Sequence, residues 1–130
     1  MVTDIVKRMR NGEHISENAP ELLCDEIENT HRLITELNTG FHTPDETRAI
    51  LERIWGQRLD STVRIFPPFY TALGKMTTVG KEVFINFGCT FLDQEGITLE
   101  DGVFVGPGVK IATEGHPEEP AKYIRDIKQD

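Results

Sequence analysis

Histidines are the side chains in this sequence best suited to proton transfer near neutral pH, because an unperturbed imidazole titrates at about pH 6.5. His14 and His42 lie in polar segments that flank predicted helices, and His31 falls on a helical stripe, where a core or boundary histidine is expected. His116 differs, because it follows the last repeat and precedes Pro117, which favours extended backbone at His116. A neutral His116 would suit a general base. A loop histidine without a catalytic role is the alternative.

No second catalytic motif accompanies His116. The sequence holds no Cys-x-x-Cys pair, no glycine-rich phosphate loop before a helix and no Gly-x-Ser-x-Gly elbow. Cys24 and Cys89 are far apart in apolar contexts, which favours two reduced, structural cysteines over a disulfide.

Composition limits the classes of partner. A chain of 130 residues is long enough for one compact unit with a real core. Its net charge of −8 disfavours a nucleic-acid interface and a polybasic membrane contact. No apolar run approaches the roughly 20 residues of a membrane span, and the N-terminus lacks a signal-peptide stretch. We therefore expect a cytoplasmic protein that binds neither nucleic acid nor membrane.

The elements that would position His116 fall into two kinds. Residues 1–60 are predicted to form a helical cap. A short stripe precedes Asn11-Gly12, and a third helix begins with a Thr43-Pro44-Asp45-Glu46 capping box and ends at Gly56. Between them, a second helix from Pro20 presents apolar positions at steps of three and four, namely Leu22, Leu23, Ile27, His31, Ile34 and Leu37.

From about residue 61 the spacing changes to a period of six. An aliphatic residue opens each repeat, namely Leu73, Val79, Ile85, Leu99, Val105 and Ile111. The fifth position is small or β-branched, as at Thr77, Val83 and Cys89. The pattern predicts a mainly β protein in which residues 61–117 form a short left-handed parallel β-helix of about 18 residues per coil. An ordinary sheet of short strands with glycine turns is the alternative. Residues 118–130 are a charged tail without the repeat.

One insertion interrupts the repeat. The stretch Phe91–Thr98 has eight residues, and it carries Asp93, the only acidic residue in the otherwise apolar stretch between Phe84 and Gln94. We predict a loop that leaves the prism, and such loops are common places for function because the rigid coil positions them. A zinc site like that of the γ-type carbonic anhydrases, which needs three clustered histidines, is not expected because the repeat region contains His116 alone.

Motifs in this order resemble one family over nearly residues 1–120. The matching stretches are Met9–Glu13, Pro67–Tyr70, Val79-Gly80, Ile85–Thr90, Leu92-Asp93, Ile97–Val103, Gly106–Val109 and Gly115–Pro117. They resemble the maltose and galactoside O-acetyltransferases, which include nodulation-type sugar acetyltransferases.

The resemblance implies a trimer whose active sites lie between neighbouring β-helices. His116 would take a proton from a sugar hydroxyl, which attacks the thioester of acetyl-CoA, and no metal takes part. Asn86 and Asp93 match positions that bind the acceptor sugar, and Glu17 falls near a third. Ala72 stands where some members have an acceptor-contacting serine. The residues that contact acetyl-CoA are not identified.

The last residues depart from the family. Members continue for several coils beyond the histidine-proline, and these coils carry most of the contacts to CoA and the oxyanion donor. The resemblance therefore implies an apparently truncated acetyltransferase that lacks its CoA-binding coils. The alternative is a weak or inactive remnant that serves as a binding or oligomerisation scaffold.

Overall fold

The computed structural model describes residues 2–13 and 20–113, which form three helices followed by eight short strands. The helices are α1 (Asp4–Arg10), α2 (Pro20–Asn38) and α3 (Pro44–Trp55). The strands are β1 (Arg64–Ile65), β2 (Phe69–Thr71), β3 (Thr77–Val79), β4 (Phe84–Ile85), β5 (Cys89–Leu92), β6 (Ile97–Leu99), β7 (Phe104–Val105) and β8 (Lys110–Ala112). Within these ranges, no helix is both long and apolar enough to cross a membrane.

Every third strand joins the same sheet. One sheet has the order β1-β4-β7, the second β2-β5-β8 and the third β3-β6, and all neighbours are parallel. Successive strands therefore lie on successive sides of a prism, and the chain winds as a parallel β-helix. This confirms the predicted parallel β-helix preceded by helices.

The coil is longer than predicted. Arg64 pairs with Phe84 and Phe84 with Phe104, so the chain advances 20 residues per coil. The expected coil of 18 residues was wrong, because the two additional residues occur in both coils and not only in the coil with the insertion at Asp93. Thr71 and Thr77 pair with Phe91 and Ile97 one coil later. The segment before β3 thus has the same length as the segment before β6.

This register corrects the position of Leu73. Leu73 is equivalent to Asp93, one coil later, and packs with the buried residues of α1 instead of opening a repeat inside the prism. The inward positions form ladders of stacked side chains, namely Ile65–Ile85–Val105, Thr71–Phe91–Ile111 and Val79–Leu99. They join α3 and the second half of α2 in one core.

The predicted start and end of α3 are confirmed. The Thr43 hydroxyl accepts a bond from the Glu46 amide at 3.2 Å, and the Thr43 amide donates to Glu46 Oε1 at 2.7 Å. Gly56 ends the helix with φ of 63°, a left-handed conformation that glycine adopts without steric cost.

The predicted stripe on α2 is only half right. Ile34 and Leu37 are buried, but Leu22 and Ile27 are exposed by 52% and 38%, and His31 is also exposed. Glu26 and Thr30 are buried instead. The Thr30 Oγ1 lies 3.0 and 2.8 Å from the carbonyl oxygens of Glu26 and Leu73, and its one proton is shared between these two acceptors. The first half of α2 packs on a backbone carbonyl of the coil, and this carbonyl requires a donor that an apolar stripe would not supply.

The two cysteines differ in environment. Both are free, as expected, and Cys89 is buried in the prism. Cys24 is exposed on α2, so its predicted apolar environment was wrong.

Candidate active site at two corners of the second coil

The residues proposed for the site lie at separate places in the chain. Asn86 follows β4, at the corner that leads into β5, and Asp93 follows β5, at the corner that leads into β6. His116 and Glu17 lie outside the described residues. In the sequence, His116 comes 20 residues after Gly96, which is the length of one coil in the described part.

The corner at Asn86 is held by its own backbone and side chain. The Asn86 amide donates to the carbonyl oxygen of Val105 at 2.9 Å, which ties this corner to the coil that follows. Its side-chain Oδ1 accepts from the amide of Phe87 at 2.8 Å. Asn86 is half-buried, and this contact leaves its side-chain NH₂ available as a donor.

An apolar cleft of about 610 Å³ lies beside this corner. It opens between the α2–α3 turn and the corner that precedes β2, and its lining residues are Asn38, Gly40, Phe41, His42, Pro44, Thr47, Arg64, Ile65, Phe66, Pro67, Pro68 and Phe87. Among these, His42 Nε2 lies 2.9 Å from the carbonyl oxygen of Glu36. Sequence reasoning missed this cleft, because its two walls are at least 17 residues apart in the chain.

The corner at Asp93 is closed. The Asp93 side chain is fully buried. Its Oδ1 accepts from the amides of Leu73 and Gly74 at 3.0 and 3.2 Å, and its Oδ2 accepts from the Met76 amide at 3.2 Å and the Thr77 hydroxyl at 2.9 Å. One buried carboxylate therefore fixes the loop between β2 and β3 in the coil below.

This geometry corrects one expectation and leaves another open. The segment after β5 does not carry Asp93 away from the prism; it is a tight turn in which the Gly96 amide donates to the Asp93 carbonyl at 2.8 Å. The turn exposes Glu95 and leaves Gln94 half-buried. Binding of an acceptor by the Asp93 side chain remains a prediction, since the oxygens of Asp93 already have donors within the protein.

A second cavity, of about 420 Å³, lies beside this corner. Its lining comprises Arg10, Gln57, Lys75, Met76, Thr77, Thr78, Gly96, Ile97 and Thr98. Lys75 is only 7% exposed, and burial lowers the pKa of its ammonium, a shift that nearby Glu26 opposes. No sequence signal marks Lys75, because a lysine beside a glycine in a turn is typically solvated.

Arg10 anchors this cavity to the helices. Its Nε donates to the Lys75 carbonyl at 2.7 Å, and its Nη2 donates to the Trp55 carbonyl at 3.2 Å. Gly56 lies directly behind both side chains, since a Cβ at this position would stand 3.0 Å from Lys75 Cγ and 3.2 Å from Arg10 Nη2.

The structure does not bring Asn86 and Asp93 together within one chain. Strand β5 separates them, and its four residues alone span about 13 Å at 3.3 Å per residue. Across residues 2–13 and 20–113, no three histidine, cysteine, aspartate or glutamate side chains gather as they would around a metal ion.

Comparisons with known proteins agree with this architecture. Nodulation protein L from Rhizobium leguminosarum bv. viciae is 38% identical over 71 residues, which are 55% of this chain and 36% of that protein. Galactoside O-acetyltransferase from Escherichia coli K12 is 27% identical over 85 residues, 65% of this chain and 42% of the enzyme. No family model matches the chain.

Solved structures show the same likeness. A maltose O-acetyltransferase from Clostridium difficile 630 superposes with a TM-score of 0.78 at 26% identity, over 92% of this chain and 64% of that one. The chain resembles the hexapeptide-repeat O-acetyltransferases. In fold it also resembles a hexapeptide-repeat acetyltransferase from Vibrio cholerae solved with acetyl-CoA, with a TM-score of 0.72 at 24% identity over 92% of this chain and 64% of that one.

The likeness covers part of each relative. The chain spans 36% and 42% of the two curated relatives named above. The activity, substrates and assembly of such an enzyme are therefore proposals for this chain.

Proposed function

We propose that this protein takes part in O-acetyl transfer from acetyl-CoA to a hydroxyl group of a sugar or a similar acceptor. The observation that carries the proposal is the joint likeness, in sequence and in fold, to O-acetyltransferases of the hexapeptide-repeat type. Acetyl-CoA as the donor is supported by the neighbour that was solved with this molecule.

In this proposal His116 is the general base. Its neutral imidazole takes the proton of the acceptor hydroxyl, whose oxygen attacks the thioester carbonyl. The tetrahedral intermediate then expels the CoA thiolate, which takes up a proton, and the acetyl ester remains on the acceptor. Base catalysis of this kind contributes about 10²–10⁴-fold to the rate. Asn86, Asp93 and Glu17 are proposed to bind or position the acceptor.

The separation of the two corners supports an oligomer. Asn86 and Asp93 of one chain lie at opposite ends of β5, so one ligand would meet both corners only where two copies are adjacent. We propose a trimer of left-handed β-helices in which one copy supplies the Asn86 corner and its neighbour the Asp93 corner.

An exposed aromatic ladder is the surface that we propose for this contact. The rings of Phe84 and Phe104 stack along one sheet with centroids 4.8 Å apart, and Phe66 contacts both Phe84 and Phe87. Phe87 and Phe104 are 55% and 68% exposed. Exposed aromatic side chains in contact with each other are typical of protein interfaces.

The same ladder favours the alternative function, a scaffold that assembles and binds ligand without turnover.

Free cysteines, one of them exposed, agree with the reducing cytoplasm that we propose as the location of the protein.

Thiol release from acetyl-CoA, measured with a panel of sugars, tests the enzyme hypothesis. We expect His116→Ala to reduce turnover by at least 10²-fold, because the general base is lost. His31→Ala, an exposed histidine on α2, is the matched control and retains full activity. Equal turnover in the wild type and His116→Ala would eliminate this mechanism. Assembly without any turnover would favour the scaffold.

A further inference from the structure

The cavity between α1 and the β3–β6 sheet carries a charge pattern that acetyl transfer does not explain. The chain has 22 acidic residues and a net charge of −8, yet the ionisable side chains that line this cavity within residues 2–13 and 20–113 are Arg10 and Lys75, both cationic. Glu26 and Asp93 influence the charge of Lys75 from nearby, but neither lines the cavity.

Lys75 is the unusual member of this pair. Its side chain is more than nine-tenths buried, although lysine is rarely buried without a partner. Among the described residues, no acceptor lies within hydrogen-bonding or salt-bridge distance of its ammonium. In the part of the chain that the structure describes, only Trp55 Nε1 is a fully buried side-chain atom without a partner, so the Lys75 ammonium is accessible from the cavity, where a bound anion would offset the cost of its partial burial.

Neutral donors complete the lining. Thr78 and Thr98 are register partners on β3 and β6, and both are exposed on the face where they border the cavity. Gln57 is not available to a ligand, because its amide donates to the Thr77 carbonyl at 2.8 Å and accepts from the Val79 amide at 3.1 Å. Two cations and two hydroxyls therefore remain for a ligand.

We propose that this cavity binds a phosphate or sulfate group through Lys75 and Arg10, with the hydroxyls of Thr78 and Thr98 as additional donors. A tetrahedral oxyanion accepts hydrogen bonds on all sides, and each of these four side chains is able to donate one. The cavity also borders Gly96, in the turn that begins with Asp93, so the group belongs either to a free anion or to the acceptor itself.

The test uses the full chain and inorganic phosphate, without acetyl-CoA, so that its outcome is independent of the proposed acetyl transfer. The midpoint of thermal unfolding is followed by fluorescence of the single tryptophan, while phosphate replaces chloride at constant ionic strength. We expect a saturable rise in the wild type. Lys75→Met should weaken phosphate binding at least tenfold, and Lys81→Met, at an exposed lysine outside the cavity, should not.

Lys75→Met should also unfold at a higher temperature than the wild type when phosphate is absent, because it removes a buried charge. Thr98→Val, at an exposed strand position, is the second variant and should weaken phosphate binding a few-fold. Absence of a saturable shift in the wild type, or undiminished binding in both Lys75→Met and Thr98→Val, overturns the proposal.

A second arm distinguishes the two sources of the group. Galactose 6-phosphate is compared with galactose and with inorganic phosphate. If the sugar phosphate binds at least tenfold more tightly than phosphate, the site belongs to a phosphorylated acceptor. Equal affinities assign the site to a free anion.

Discussion

The two corners of the second coil use polar side chains in opposite ways. At the Asn86 corner, the side chain bonds to the next residue of its own turn, and its NH₂ group has no partner within the part of the chain that the structure describes. At the Asp93 corner, the carboxylate is fully buried and holds the preceding coil through backbone amides and a hydroxyl. The first corner is thus able to meet a ligand, whereas the second organises the solenoid and the cavity beside it.

Removing the charge at the closed corner should have the largest effect. We expect Asp93→Asn to lower the free energy of unfolding by about 3 kcal/mol, because an amide NH₂ would face buried donors. Urea denaturation followed by tryptophan fluorescence measures the change. Glu95→Gln, in the same turn but exposed, should stay within about 0.5 kcal/mol of the wild type. A similar small change for Asp93→Asn would contradict the structural role.

The open corner should show the reverse pattern. Asn86→Ala should change stability by at most about 1 kcal/mol, because it removes one partly exposed hydrogen bond. We expect a rise of about tenfold in the KM for the acceptor in the acetyl-CoA assay, since a donor to the acceptor is lost. Asn29→Ala, exposed on α2, is the control. An unchanged KM would remove Asn86 from the site.

The contact between the corners of different copies should depend on the aromatic ladder. Phe104→Ser should shift the protein towards monomers, because it removes an exposed ring from the aromatic ladder. Sedimentation velocity at several concentrations measures the shift. Phe41→Ser removes another exposed ring, outside the ladder, and should leave the assembly intact. Dissociation by both variants or by neither would argue against the ladder as the contact.

The smallest effect concerns the cation beside the closed corner. Burial lowers the pKa of Lys75 in the folded state below its value of about 10.4 in the unfolded chain. At pH values between these two pKa values, the unfolded chain therefore binds more protons than the folded protein. The stability of the wild type relative to Lys75→Met should therefore rise with pH in this window. The charged groups that influence Lys75 are Glu26, Arg10 and Asp93. Urea denaturation of both proteins in phosphate-free buffers of several pH values measures the difference in their free energies of unfolding. A difference that does not change with pH would contradict the prediction.

Local sequence signals predicted the elements that depend on neighbouring residues. The structure contains the predicted capping box at Thr43, the end of α3 at Gly56 and the change from helices to a repeat of short strands. The coil length was not predictable in the same way, because the aliphatic residue at position 73 fits a hexad and yet packs under α1. The burial of Glu26 and Thr30 was hidden for the same reason, since helical spacing shows which residues share a face but not what that face meets.

The sequence by itself determined that repeats of β-branched and small residues form parallel coils after a helical segment, because side-chain size and period are properties of the chain alone. Tertiary structure decided what the polar residues do. Asp93 became an internal anchor because the register places the loop before β3 against its carboxylate, 16–20 residues earlier in the chain. Lys75 became buried because Arg10 of α1 binds its carbonyl and Gly56 lies against its side chain. Such contacts join distant segments, and no local pattern encodes them.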